Sequence, residues 1–352
     1  MGRTTFGTIA ILAMALSLAG PAAAPAKAVP SPPPSVSHAR HIPPLPPAPM
    51  RGLVGEYGTA ADLRLVFESG GELYLGQDEQ TLHLIRAGTP DHWIYPGHLP
   101  IDVKFERDRR GAAVAMTVRD RRLPRVDLGA LAQAQVRAAV KADPAALRRR
   151  ALAATPPSEP APKRASDLVA LTRIDPTIKL DIRYATADNF MGIVLYERAA
   201  AYMQRPAAEA VGRASRSLRS LGYGLMIHDA YRPWFVTWMF WEATPPEDHQ
   251  FVADPAHGSR HNRGAAVDLT LYDLATGRAV EMPGRYDELS HRSYPDYVGG
   301  TTRQRWLRDL LRAEMEKQGF TVYAQEWWHF DYAGWSDWAV GNRTFTELAA
   351  RD

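Results

Sequence analysis

The chain contains no cysteine. Disulfides, thiol nucleophiles and thiolate metal sites are thereby excluded, so any metal must be held by His, Asp or Glu, and any nucleophile must be water, a hydroxyl or a carboxylate. Charge of one sign is not in excess either: 42 Lys plus Arg stand against 39 Asp plus Glu, spread along 352 residues, which offers no basic block of the kind that grips nucleic acid. Long apolar runs are missing as well. The run at residues 9–18 falls well short of the roughly 20 residues that span a bilayer, so no membrane span is expected. With Arg3 before it and Ala22, Ala23 and Ala24 after it, the run reads as a signal peptide over residues 1–24. Export to the periplasm or the exterior is the expectation, and the lack of cysteine excludes a lipid anchor of the bacterial lipoprotein kind.

What is present divides into blocks. Residues 25–50 are too rich in proline for helix or central strand and read as an extended linker. Over 51–127, short apolar runs at 63–67, 72–76, 81–87, 103–107 and 113–118 alternate with Gly, Asp and Pro breakers, the rhythm of a small antiparallel β domain. Residues 128–166 read as a helix to about 154 and then a second linker. From 167 to 352 the texture is mixed: helical spacing at 205–224, 234–243 and 302–319, and strand-like runs at 224–231, 267–273 and 320–330. The fold class is therefore α+β, preceded by a small all-β domain.

Three segments carry chemistry. In the run 259–268, Asp268 shares a strand face with Thr270 and Tyr272 while Val267, Leu269 and Leu271 take the other, so Asp268 is able to point out of the core. His261, upstream in a turn containing Gly264, can fold back beside it. The run 326–329 adds Glu326 and His329. Catalytic zinc takes three protein ligands and leaves one position for water, whose proton a further carboxylate removes. His261, Asp268 and His329 can supply such a ligand set and Glu326 the base, provided that a bulge or turn near Trp327 brings residues three apart to one side of a strand. Arg232, just beyond an apolar strand, either stabilises charge on an attacked carbonyl oxygen or pairs with Asp229.

Taken together, these segments resemble the D-alanyl-D-alanine dipeptidase family, the group that includes the vancomycin-resistance dipeptidases. The resemblance runs through 181–190, 229–233, 259–273 and 326–330. It implies a small central antiparallel sheet flanked by helices, one Zn2+ on His261, Asp268 and His329, Glu326 as general base and Arg232 stabilising the transition state. It also implies substrate contacts from Ser259 and Asp287, and a small dipeptide or cell-wall peptide as substrate. Two departures stand out: Asn262 follows His261 where the family usually has serine, and bulky Arg260 precedes it. Two other readings compete, a D,D-carboxypeptidase acting on peptidoglycan stem peptides and a non-catalytic cell-wall binding protein.

Overall fold

Breakers and alternating apolar residues in the first half fold as their spacing suggests. In the computed structural model, which describes residues 42–77 and 80–350, a one-turn helix α1 (Ala48–Arg51) leads into eight strands: β1 (Gly55–Thr59), β2 (Asp62–Ser69), β3 (Glu72–Gln77), β4 (Gln80–Arg86), β5 (His92–Tyr95), β6 (Ile101–Arg107), β7 (Ala113–Val118) and β8 (Arg121–Val126). They pair antiparallel in chain order, and β8 returns to β1 to close a barrel. Its interior is filled by its own side chains, among them Tyr57, Leu75, Phe105 and Met116, so the barrel has a packed centre. Three strands escape the sequence pattern. β5 is only four residues long, β1 carries two glycines, and β8 holds three arginines and Pro124. The signal peptide expected over 1–24 and most of the linker expected over 25–50 lie outside the described residues.

The helix expected over 128–154 is two helices, α2 (Leu128–Ala142) and α3 (Pro144–Ala153). Pro144 has no N–H to continue the ladder, and Asp143 instead caps the second helix by accepting from the Ala146 N–H at 2.8 Å. The stretch expected as a linker, 155–166, lacks regular structure but is tied down. Glu159 accepts from the Val340 N–H at 2.9 Å and pairs with Arg263.

The rest of the chain builds a five-stranded sheet in the order β10 (Lys179–Leu180), β12 (Tyr223–Asp229), β13 (Ala266–Asp273), β15 (Glu326–Tyr332), β14 (Phe320–Tyr323). Every pairing is antiparallel except β10 with β12. A separate two-stranded ribbon joins β9 (Leu168–Ala170) to β11 (Tyr202–Gln204). The helices are α4 (Leu171–Ile174), α5 (Arg205–Arg219), α6 (Trp234–Ala243), α7 (Thr302–Glu316) and α8 (Phe345–Ala349). Helices α5 and α7 pack on the sheet, and α2 and α3 pack on α6. Val267, Leu269 and Leu271 enter the apolar core, which leaves Asp268 on the opposite face. The stretch 320–330, read from its sequence as one strand, is a hairpin turning at Ala324 and Gln325. Among the described residues, no helix is long and apolar enough to cross a membrane.

Candidate metal centre

Three neighbouring strands bring acid and imidazole side chains together. Asp268 is the cross-strand partner of Asp229 on β12 and of His329 on β15, so the three share one face of the sheet. Two irregularities make this alignment possible. In β12, Ile227 pairs with Leu269 and Asp229 with Asp268, so His228 is an extra residue and Asp229 turns to the Asp268 side. In β15, Phe330 pairs with Val322 but Glu326 with Tyr323, which leaves 327–329 out of register with β14. A regular strand would place Glu326 and His329 on opposite faces. Here Glu326 Oε2 lies 3.5 Å from His329 Nδ1.

His261 enters from the turn before β13. A short 3-10 turn, His261–Arg263, ends at Gly264 with φ of 65°, where a Cβ would lie 2.3 Å from Leu168 Cδ2. Glycine takes that left-handed reversal without strain. The turn sets His261 Nε2 3.0 Å from His329 Nδ1 and 3.2 Å from Asp268 Oδ1, while His329 Nδ1 lies 3.1 Å from the same oxygen. Three ligands bonded tetrahedrally to zinc at about 2.0–2.2 Å would stand roughly 3.3–3.6 Å apart, slightly wider than these 3.0–3.2 Å separations. The spacing fits a shared ion.

Protonation points the same way. His261 Nδ1 donates to the Ala230 carbonyl at 2.7 Å, and His329 Nε2 pairs with Asp331 Oδ1 at 2.9 Å. Each imidazole therefore turns its other nitrogen, a lone-pair atom in the neutral ring, towards Asp268 Oδ1, a buried oxygen that accepts no directed hydrogen bond among the described residues. Without a cation the cluster needs an added proton. Burial would push the His329 imidazole down, but Asp331 and Asp268 hold it up at about 10. Burial would likewise raise the Asp268 carboxyl, yet the two imidazoles keep it well below the usual carboxylate range. A divalent cation would supply the missing positive charge, and the outer partners of both rings are of the kind that orient metal-ligating histidines.

The cluster opens on a cavity of about 460 Å³. Glu326, Arg232, Ser259 and Asp287 all line it, so the residues singled out from the sequence meet at one place. Burial, with the nearby Asp268 and Asp331 carboxylates adding to it against His329 and Arg232, raises the Glu326 carboxyl to about 7 in the metal-free protein. Of the two sequence readings of Arg232, the structure shows the pairing with Asp229, and it leaves the guanidinium at the cavity wall. Its Nε donates to Asp229 Oδ2 at 2.9 Å, while its Nη2 lies 3.7 Å from Asp268 Oδ2. The guanidinium also stacks over the Phe240 ring at 4.7 Å, which fixes its plane. Ser259 Oγ accepts from the His261 N–H at 3.2 Å.

Asp287 sits in the left-handed region at φ 58°, unusual for a residue other than glycine. Its Oδ1 accepts from the Tyr184 hydroxyl at 2.9 Å, and its Oδ2 is buried without a partner among the described residues. Burial raises this carboxyl well above its ordinary value. Asn262, one of the two departures, is fully buried and turned into the protein, where its side chain bonds Arg232, Thr237 and Ser259. Sequence reasoning missed Tyr286, whose hydroxyl donates to Asp268 Oδ2 at 3.1 Å, as well as Tyr184 and Asp331. No local spacing marks a tyrosine that reaches a carboxylate on another element. Asp331 was more accessible, lying two residues beyond His329 and so on the same strand face.

A buried pair of imidazoles and a carboxylate, with a second carboxylate at the wall of the cavity, is the donor set of a metallopeptidase. The chain belongs to the D-ala-D-ala dipeptidase family, which matches residues 164–350. It is 36% identical over 166 residues to the D-alanyl-D-alanine dipeptidase of Escherichia coli K12, covering 47% of this chain and 84% of that one. The D-alanyl-D-alanine dipeptidases of Enterococcus faecium and Streptomyces coelicolor are each 34% identical, over 44% of this chain and 85% of theirs. The barrel and helices α2 and α3 fall outside the matched residues.

Proposed function

We propose that this protein is an exported zinc dipeptidase that hydrolyses D-alanyl-D-alanine or a close relative in cell-wall peptide metabolism. The observation that carries the reading is the convergence of His261 Nε2, His329 Nδ1 and the orphaned Asp268 Oδ1 beside Glu326. These three residues would hold the zinc. Zinc, when bound, polarises the peptide carbonyl and makes water acidic enough to lose a proton near neutral pH.

The chain's own residues do the rest. Glu326 takes the proton from the attacking water and returns it to the leaving amine, a task that its place at the cavity wall, 3.5 Å from His329 Nδ1, allows. Arg232, held in plane by Asp229 and Phe240, faces the negative charge that develops on the carbonyl oxygen. Ser259 offers a hydroxyl proton to the bound peptide. Asp287, with one oxygen spoken for and the other free, suits the ammonium of a free amino terminus. That feature favours a free dipeptide over a stem peptide with a blocked amine. The presence of Glu326, which a pure binder does not need, favours an enzyme.

The test is a panel of D,D-, L,D- and L,L-dipeptides beside N-acetylated dipeptides and muropeptides. The reading requires zinc-dependent turnover of free D,D-dipeptides. Preferential cleavage of the blocked or stem substrates would replace it with the carboxypeptidase reading.

A further inference from the structure

Side chains from outside the family-matched residues reach the loop that carries Asp287. Gln133, on α2, donates its side-chain amide to the Asp287 backbone carbonyl at 2.7 Å. Asp127, which caps the same helix through the Ala130 N–H at 3.0 Å, accepts hydrogen bonds from Arg285 Nη1 and Nη2, at 2.7 and 2.8 Å. Gly129 lies so close to buried Glu288 that a Cβ there would stand 2.4 Å from Glu288 Cγ. Glu288 in turn accepts from the Arg285 N–H at 2.8 Å. Helix α2 therefore grips residues 285, 287 and 288, on both sides of the left-handed residue.

That grip bears on substrate because a non-glycine residue leaves the left-handed region unless its surroundings hold it. Two bonds to Asp287 do the holding: Tyr184 fixes the carboxylate, and Gln133 fixes the peptide plane that follows the φ of 58°. With both in place the free Oδ2 stays in the cavity wall. We infer that Gln133 is a positioning residue for the amine-binding wall, so that a helix outside the family-matched region sets the preference for a free amino terminus. The inference rests on the dipeptidase reading above, in which Asp287 meets the substrate ammonium.

The experiment is a double-mutant cycle on the full chain, with kcat and KM measured for D-alanyl-D-alanine in the wild type, Gln133→Glu, Asp287→Asn and the pair. Gln133→Glu keeps the volume and removes the donor. It should raise KM by about fivefold, the worth of one hydrogen bond, and leave kcat and thermal midpoint nearly unchanged. In the Asp287→Asn background it should add nothing to the loss in kcat/KM. Gln133→Ala should follow the same pattern. An unchanged KM, an equal loss in both backgrounds, or a fall confined to kcat overturns the positioning role while dipeptide hydrolysis by the wild type stands. A wild type that does not cleave the dipeptide overturns the functional reading first, and this inference with it.

Discussion

Asp331 Oδ1 accepts a hydrogen bond from His329 Nε2 at 2.9 Å, on the far side of the ring from Asp268. The pairing fixes which nitrogen of His329 faces the cluster. Asp331 is itself steadied by Arg260, whose Nη1 lies 3.3 Å from its other oxygen and whose guanidinium stacks over Trp335 at 4.8 Å. The bulky residue before His261 thus acts on the second histidine of the cluster, through a carboxylate.

Metal affinity should register that support. Asp331→Asn keeps the shape but weakens the orienting bond, and loss of such an outer partner costs about 10- to 100-fold in affinity. Arg260→Ala should shift affinity in the same direction by less. Competition against a zinc chelator measures both, and affinities equal to the wild type would remove Asp331 from the account.

Asn262 should prove structural. Its amide donates to the Arg232 carbonyl and to Thr237 Oγ1, each at 2.9 Å, and its Oδ1 accepts from the Ser259 N–H at 2.6 Å. Asn262→Ala strands those groups in the interior and should lower stability by about 2–3 kcal/mol. The urea midpoint reads this loss. A shift smaller than about 0.5 kcal/mol would mean that those bonds carry little.

How far the chain was legible follows from where information is local. Asp268 was readable because Val267, Leu269 and Leu271 commit the opposite strand face to the core, and the outcome follows that alternation. The placement of Glu326 beside His329 could be stated only as a condition. The register shift that brings them together belongs to the pairing of β15 with β14, not to either strand alone. The break at Pro144 was visible in principle, since proline ends a helix ladder wherever it falls inside one. Tyr184, Tyr286 and Gln133 were not visible, because each acts on a carboxylate or carbonyl far away in the chain. Asp287 was reached through resemblance alone, its neighbours Tyr286 and Glu288 giving no sign of a left-handed turn.

A pH dependence follows from Asp287. Burial holds its carboxyl protonated to higher pH than an ordinary aspartate, and only the carboxylate form attracts an ammonium. Affinity for a free-amine dipeptide should therefore rise as pH climbs through that raised pKa, then fall as the substrate amine deprotonates near pH 8, roughly its usual value. KM against pH at fixed zinc measures the effect. Asp287→Asn should flatten the rising limb, and an identical limb in the variant would assign it to another group.

The most direct test of the account is to measure zinc content and D-alanyl-D-alanine turnover on one sample of Glu326→Gln. Gln keeps the volume and an oxygen but has no basic carboxylate, so zinc should remain at one per chain. Turnover should fall by at least the 10²–10⁴ or so that general acid–base catalysis supplies. His329→Ala, by contrast, should lose zinc and turnover together. Near-full turnover by Glu326→Gln at full zinc occupancy would contradict the assignment of Glu326 as proton carrier, and with it the mechanism.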